Sequence, residues 1–110
     1  MLVDSHCHID FPDLVDDFPG VLSRAHDSGV GHLLCVSVNL QDFPAMLQLA
    51  DRSANISASV GVHPNTSLEV TEEPSVETLA ALADNPKIVA IGETGLDYYR
   101  TSCDVDRQRE

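Results

Sequence analysis

The sequence predicts an α/β fold built on a parallel β-sheet. Short apolar segments with the length of strands alternate with segments whose apolar residues recur at helical spacing. Such alternation is typical of parallel sheets, because each helix carries the chain back to the edge where the next strand begins. The side chains best suited to metal binding or catalysis also follow three separate strands. With 110 residues, the chain has the size of one domain at most.

The first half of the chain contains two strand–helix units. The first strand is predicted at residues 2–5, and the helix that begins after Phe18-Pro19-Gly20 ends at Ser28-Gly29. Proline near a helix start and glycine just beyond its end are the expected asymmetry. The second strand, residues 32–38, is apolar on both faces, as expected for a strand that is covered on both sides. Pro44 opens the second helix.

The second half of the chain repeats this pattern. Strands are predicted at residues 56–62 and 88–93. Ser75 has the side chain expected at the N-cap of the helix between them, and Asn85-Pro86 ends that helix. Asp104 would cap a further helix at the end of the sequence. The four strands and their helices therefore form four consecutive β/α units.

Two histidines follow the first strand directly, in Asp4-Ser5-His6-Cys7-His8. Because side chains alternate along a strand, both imidazoles face the same side, and Cys7 is expected to be a small core residue. Two neighbouring neutral imidazoles form half of a transition-metal site. A hydrogen-bonded surface pair is the alternative, but the position after a strand and behind Asp4 favours metal binding. Asp4 is expected to hold a ligand imidazole through a hydrogen bond.

Glu93 and His63 end two later strands. Glu93 is flanked by Gly92 and Gly95, which let a ligand approach the backbone closely, and a carboxylate can bridge two cations. His63 precedes a proline. Unless it is only structural, His63 would contact a substrate oxyanion or act as a general acid or base. In β/α barrels the active site lies at the carboxyl ends of the strands, which is where all these side chains are predicted.

The segment Asp97-Tyr98-Tyr99-Arg100 follows a glycine turn. It forms either a packed loop or one wall of a substrate groove. In a groove, the tyrosines would stack on bases and Arg100 would contact a phosphate. The sequence favours neither interpretation.

Composition narrows the possible functions. The formal net charge is −12 with only six lysines and arginines, and their one local group is Arg100, Arg107 and Arg109. Proteins that bind nucleic acid through its phosphates usually carry a basic patch. Metals and a few local arginines would therefore have to contact the phosphates of a nucleic-acid substrate. The sequence contains neither a nucleotide-binding glycine loop nor a G-x-S-x-G nucleophile motif.

The cysteines and the apolar segments indicate the cellular compartment of the protein. Cys7, Cys35 and Cys103 are odd in number and lack C-x-x-C spacing, which indicates reduced thiols. No stretch approaches the roughly 20 apolar residues of a transmembrane helix, and the first residues do not have the pattern of a secretory signal. We therefore expect a cytoplasmic protein without a membrane partner.

Three motifs together resemble the TatD family of metal-dependent hydrolases. Residues 4–10 resemble the opening motif of the family, Gly61-Val62-His63-Pro64 its second motif, and residues 92–99 its third and most specific one. Their order and spacing agree with the family, and residues 107–110 are similar to its next helix.

The resemblance implies a (β/α)8 TIM barrel that holds two divalent cations and cleaves phosphodiesters. The usual activity of the family is a deoxyribonuclease that acts as a 3′–5′ exonuclease on DNA. By this resemblance His6 and His8 bind one metal, Glu93 bridges both, and His63 faces the substrate phosphate, so that Glu93 and His63 are the catalytic residues. Histidine and carboxylate ligands suit zinc, manganese and, less well, magnesium.

The length departs from the family pattern. A complete barrel needs about 250 residues, or roughly 200 at the low end, and four of its eight strands are predicted here. We therefore expect residues 1–110 to be the N-terminal half of such a barrel, with the remaining metal ligands beyond residue 110. An open half exposes edge strands and one face of its core.

Two other functions are compatible with the sequence. One is another metal hydrolase with an H-x-H opening, either a phosphoesterase of the polymerase-and-histidinol-phosphatase family, which the segment at residues 92–99 disfavours, or a deacylase on the same barrel. The other is a non-catalytic metal-binding or assembly module that pairs with a second chain to cover its edges. The oligomeric state is not indicated by the sequence.

The isolated 110 residues are expected to bind metal weakly and to be catalytically inactive, because the later ligands of the site are missing. Calorimetric metal titration and a DNA cleavage assay check this expectation. Robust metal-dependent cleavage by a purified preparation of this length would contradict it.

Overall fold

The computed structural model describes residues 1–66, 73–100 and 105–109. The strands within these ranges are β1 (Leu2–Cys7), β2 (Val30–Cys35), β3 (Ile56–Val60) and β4 (Ile88–Ile91). They form one sheet in the order β1-β2-β3-β4, and every neighbouring pair is parallel. This topology confirms the predicted α/β fold with four consecutive β/α units.

Helices fill the connections between the strands. They are α1 (Pro12–Val15), α2 (Phe18–Asp27), α3 (Phe43–Asp51), α4 (Val76–Ala83) and α5 (Val105–Gln108). The helix α4 has the predicted N-cap, because the Ser75 hydroxyl accepts a hydrogen bond from the Thr78 N–H at 3.1 Å. In the described part of the chain, no helix is both long enough and apolar enough to cross a bilayer.

The sequence does not predict α1, because four residues are too few to show helical periodicity, although proline near its start favours the required φ. The residue expected to cap α5, Asp104, lies outside the described residues.

The strands end differently from the predicted bounds. The sequence extends β3 and β4 to residues 62 and 93, but the strands end at Val60 and Ile91. Beyond these points side chains add to the backbone hydrogen bonds: Ser37 Oγ donates to the Gly61 carbonyl at 3.0 Å. Hydrophobic patterns cannot show where this change occurs, because it involves Ser37 from the segment that follows β2.

The core lies where the sheet meets α2 and α3. The strand β3 contributes Ile56, Ala58 and Val60, each no more than 1% exposed. Phe43 and Met46 of α3 are buried against the same cluster. The three β3 residues lie two positions apart and so face the same side of the sheet, where the removal of their side chains from water stabilises the packing against α3.

The two edge strands are much more exposed than the central pair. The side chains of Leu2 and Val3 on β1 are 63% and 57% exposed, and those of Val89 and Ile91 on β4 are 61% and 57% exposed. These values match the prediction of an unclosed sheet with uncovered edges.

The two cysteines in the described ranges are core residues with protonated thiols. Cys7 donates to the Leu34 carbonyl, and burial together with the charge of Asp4 raises its pKa to about 11. Cys35 donates to Asp10 Oδ1 at 3.3 Å, and burial followed by the charge of Asp10 raises its pKa to about 12. Cys7 therefore has the predicted core role, while Cys103 lies outside the described residues.

The Cys35 thiol is expected to make the free energy of unfolding depend on alkaline pH. The folded chain keeps this proton up to a pKa of about 12, whereas an unperturbed thiol releases it at 9.0. The contribution is therefore fully present below pH 9.0 and is lost as the pH rises towards 12. Urea unfolding at about pH 8 and about pH 10.5 should show a larger loss for the native sequence than for Cys35→Ala. Equal losses would show that this thiol does not couple to folding.

Candidate metal centre

Four polar side chains meet at the carboxyl end of the sheet. They are the sequence-predicted residues His6, His8, His63 and Glu93. Hydrogen bonds from neighbouring segments fix the backbone there: the His63 N–H donates to the Val38 carbonyl at 2.7 Å, and the Glu93 N–H donates to the Ser37 carbonyl at 2.9 Å. The segment that follows β2 thus holds the segments that follow β3 and β4.

One oxygen of Glu93 faces both histidines of the first strand. Glu93 Oε2 lies 3.5 Å from His6 Nε2 and 3.7 Å from His8 Nε2. One ligand atom from each residue can be chosen so that all three lie within 4.8 Å of one another. Two ligand atoms about 2.1 Å from a tetrahedral zinc ion are themselves roughly 3.4 Å apart. The three residues therefore fit a divalent cation.

The hydrogen bond of His8 determines which of its ring nitrogens can bind a metal. His8 Nδ1 lies 3.1 Å from the Val36 carbonyl oxygen, which can only accept, so Nδ1 carries the proton. The lone pair is then on Nε2, which faces Glu93 Oε2. Two lone-pair atoms that face each other repel unless a cation or a proton lies between them, and a cation satisfies both. The Phe11 ring stacks on His8 with centroids 4.6 Å apart and holds the imidazole in this orientation.

His63 has the opposite arrangement of its ring nitrogens. Its Nδ1 accepts a hydrogen bond from the Asn65 backbone N–H at 3.0 Å. A backbone N–H can only donate, so in the neutral ring the proton is on Nε2. This Nε2 lies 3.5 Å from Glu93 Oε1. The two oxygens of Glu93 are therefore divided between the His6/His8 pair and His63.

The predicted role of Asp4 is wrong. Asp4 Oδ1 accepts from the backbone N–H of His6 at 3.1 Å rather than from a ligand imidazole. The imidazole of His8 is held instead by a main-chain carbonyl, Val36, which no side-chain motif can reveal. Asp4 therefore supports the backbone that carries the first histidine.

Two buried serines that were not predicted as site residues hold the backbone next to Glu93. Ser37 and Ser59 are each 1% exposed. Ser59 Oγ accepts from the Ser37 N–H at 3.0 Å and donates to the Gly92 carbonyl at 2.7 Å. A serine in an otherwise apolar strand is a detectable signal, because a buried hydroxyl requires a partner. These bonds fix the residue that precedes Glu93.

The segment from Asp97 to Arg100 forms a loop with hydrogen bonds of its own. Asp97 is packed into its loop, because its Oδ1 accepts from the backbone N–H groups of Tyr99 and Arg100. Hydrogen bonds from the Arg100 N–H and then from the Tyr99 N–H lower the pKa of this carboxyl. The Tyr98 hydroxyl accepts from Arg109 Nε at 3.0 Å. Tyr99, in contrast, is 93% exposed and leaves an aromatic surface for stacking.

Comparison with known sequences now adds to this geometry. The sequence pattern of the family described as TatD related DNase matches residues 3–110. The chain belongs to the TatD family. The predicted resemblance is confirmed.

Individual TatD-family proteins match nearly all of the chain. The uncharacterized metal-dependent hydrolase YjjV of Escherichia coli (strain K12) is 37% identical over 109 residues, which cover 97% of this chain and 42% of YjjV. The crystal structure of the Escherichia coli K12 TatD homolog YJJV matches with a TM-score of 0.85 at 34% identity, over 98% of this chain and 42% of the other. The 3'-5' ssDNA/RNA exonuclease TatD of Enterobacter lignolyticus (strain SCF1) is 33% identical over 99 residues, 90% of this chain and 38% of that protein.

The chain spans about two fifths of the length of these TatD-family relatives. Four β/α units in that proportion are what an incomplete TIM barrel contains, and the predicted fold class is confirmed in this form.

Replacing Gly61 with alanine is expected to disturb the candidate metal centre. A Cβ atom at this position would lie 2.7 Å from both the carbonyl carbon and the carbonyl oxygen of Gly92, so the backbone before Glu93 would have to move. We expect a stability loss of about 1–3 kcal/mol, typical of overpacking, and weaker Zn²⁺ binding because Oε2 leaves the His6/His8 pair. Urea unfolding and calorimetric Zn²⁺ titration measure the two effects.

Gly31→Ala is the matched control for this substitution. Its Cβ would meet only the side chain of Met1, which is 97% exposed and can move aside. Unchanged Zn²⁺ affinity in Gly61→Ala would contradict the geometry derived for Glu93.

Proposed function

We propose that the protein is a divalent-metal-dependent phosphodiesterase of the TatD type that removes nucleotides from the 3′ end of DNA. The observation that carries the proposal is the position of Glu93 Oε2 between the Nε2 atoms of His6 and His8, at 3.5 and 3.7 Å. A relative of 33% identity, named a 3'-5' ssDNA/RNA exonuclease, supports the choice of substrate.

In this proposal the described residues have distinct roles. His6, His8 and Glu93 would hold one cation, and the carboxylate of Glu93 would also contribute to holding a second. The ligand types suit zinc or manganese better than magnesium. Bound cations of this kind lower the pKa of a water molecule and neutralise charge on a phosphate. We propose two such cations, as in the resemblance on which the proposal builds.

His63 is the proposed catalytic partner of Glu93. Its Nε2–H points to the same carboxylate, and its side chain is 22% exposed, so a phosphate oxygen can approach it from solvent. A hydrogen bond from Nε2 to that oxygen would stabilise the negative charge that develops when water attacks phosphorus. His63 thereby contributes a donor where the chain has few lysines and arginines.

The substrate must approach an acidic chain, with its formal net charge of −12. The exposed ring of Tyr99 offers a stacking surface for a base, and Arg100 on the same loop offers a positive charge for a phosphate. Single-stranded DNA presents both groups at once, which favours it over an ester or amide without bases.

We further propose that residues 1–110 act as the N-terminal half of a longer barrel whose later strands complete the metal site. The chain spans 42% of YjjV, which supports this assignment. The uncovered apolar side chains of β1 and β4 would then contact the missing strands. The free thiols of Cys7 and Cys35 suit a reducing compartment, and we place the protein in the cytoplasm.

Zn²⁺ titration of the chain tests the ligand assignment directly. His6→Ala and His8→Ala are each expected to weaken Zn²⁺ binding at least about tenfold, since a lost ligand costs no less than a lost supporting contact. His26→Ala is the matched control, because it removes an imidazole that is 82% exposed on α2. Equal affinities in all three variants would remove the basis of the proposed centre.

Hydrolysis by the full-length protein tests the activity. His6→Ala and Glu93→Ala are expected to lower turnover of 3′-labelled single-stranded DNA by at least about 1,000-fold, which corresponds to about 4 kcal/mol of transition-state stabilisation. The same preparations should be assayed with a simple carboxylic ester. Metal-dependent ester cleavage without DNA cleavage would favour the alternative deacylase function, and near-normal DNA cleavage by both variants would refute the assigned roles.

A further inference from the structure

We propose that Asn65 is a positioning residue that holds His63 as a hydrogen-bond donor, and that it does so through a connection to the loop after β4. The inference deepens the proposed function and rests on it for the identity of the reaction. The sequence left two roles open for His63, oxyanion contact and general acid or base. The contacts of Asn65 favour the donor role.

Two of the hydrogen bonds of Asn65 run in different directions. Its backbone N–H donates to His63 Nδ1 at 3.0 Å. Its side-chain Nδ2 donates to Asp97 Oδ2, also at 3.0 Å. One half-buried residue therefore joins the imidazole at the end of β3 to a carboxylate 32 positions further along the chain.

The carboxylate at the other end of this connection is firmly held. Asp97 Oδ1 accepts from the backbone N–H groups of Tyr99 and Arg100. Its own backbone is fixed by Gln108 of α5, whose Oε1 accepts from the Asp97 N–H at 2.8 Å and whose Nε2 donates to the Asp97 carbonyl at 3.0 Å. Asp97 can therefore act as a fixed point for Asn65.

The turn that carries Asn65 is anchored on its other side by the segment after β2. The Val38 carbonyl accepts from the His63 N–H at 2.7 Å and from Thr66 Oγ1 at 3.1 Å. The Thr66 N–H in turn donates to the His63 carbonyl. With Val38 on one side and Asp97 on the other, the N–H of Asn65 has little freedom to leave His63 Nδ1.

The chemical consequence follows from the backbone N–H being a donor only. While it occupies Nδ1, the neutral ring has its proton on Nε2, the atom that faces Glu93 Oε1 at 3.5 Å. A ring held in this way presents an N–H to an anionic oxygen and offers no lone pair at Nε2. Asn65 thus selects one of the two chemical roles of His63, and Asp97 supports that selection from the neighbouring loop.

Nitrogen-15 NMR of the histidine side chains tests the inference without any catalytic assay. In the native chain, His63 is expected as the Nε2–H tautomer, and His8 as the Nδ1–H tautomer. Asn65→Ala should convert His63 to a mixture of tautomers and leave His8 unchanged. Observation of His63 as the Nδ1–H tautomer in the native chain would overturn the proposal, and this measurement requires no variant to fold.

An exchange of the two side chains provides the rescue. Asn65→Asp alone places two carboxylates against each other, and we expect it to disturb His63 as Asn65→Ala does. Combined with Asp97→Asn, the same hydrogen bond forms in the reverse direction, with the amide at position 97 as donor. The double variant should regain the Nε2–H tautomer, as expected for directly coupled residues. Failure of the exchange to restore it would show that the side-chain bond does not position the ring.

Kinetics of the full-length protein separate this inference from the proposed function. Asn65→Ala is expected to lower kcat on single-stranded DNA about tenfold with little change in KM, the loss of one transition-state hydrogen bond. Asn85→Ala is the control, because its Oδ1 accepts from the Lys87 N–H in a turn before β4. Tautomer control without DNA hydrolysis would contradict the function alone. Hydrolysis with unchanged kcat and tautomer in Asn65→Ala would contradict the positioning role alone.

Discussion

The candidate site depends on the contacts that the Glu93 carboxylate makes with three imidazoles. Its two oxygens lie 3.5–3.7 Å from the Nε2 atoms of three imidazoles that belong to two other strand ends. No other group in the described ranges connects the ends of β1, β3 and β4 in this way. A carboxylate that loses this position leaves two separate sets of histidines, and the chemistry proposed for the site requires them together.

Buried polar groups fix the position of Glu93. Ser59 Oγ donates to the Gly92 carbonyl, and Ser37 supplies both a carbonyl for the Glu93 N–H and a hydroxyl for the Gly61 carbonyl. These bonds hold the backbone next to the site. A flexible backbone there would let the distances between the Glu93 oxygens and the imidazoles vary. Buried and fully paired hydrogen bonds make a local structure more specific, which is the property a metal centre needs.

The sequence predicts those features that depend on residues close together along the chain. Strands, helices, the Ser75 cap and the convergence of His6, His8, His63 and Glu93 follow from apolar spacing and from polar residues that come directly after strands. In a parallel sheet these positions meet at one edge, so topology converts a local signal into a spatial prediction.

Other features depend on contacts between residues that are distant in sequence. The Val36 carbonyl that holds His8 is 28 positions away from it. Asp97, the partner of the Asn65 side chain, is 32 positions away from it, and the residues adjacent to Asp97 in the sequence do not indicate this contact. The role predicted for Asp4 is wrong for the same reason: adjacency in the sequence favoured a contact that the backbone of His6 takes instead. The residues that follow β3 and β4 likewise bond to distant serines, Ser37 after β2 and Ser59 in β3.

The opposite protonation of His8 and His63 has a consequence for coordination number. If the Nε2 lone pairs of three histidines and one Glu93 oxygen all reached a single zinc ion, four protein ligands would saturate it, as in zinc sites that serve only structure. Because the Asn65 N–H occupies Nδ1 of His63, that imidazole turns a hydrogen towards the centre and withholds its lone pair. A cation held by His6, His8 and Glu93 would therefore have a coordination position that His63 does not fill.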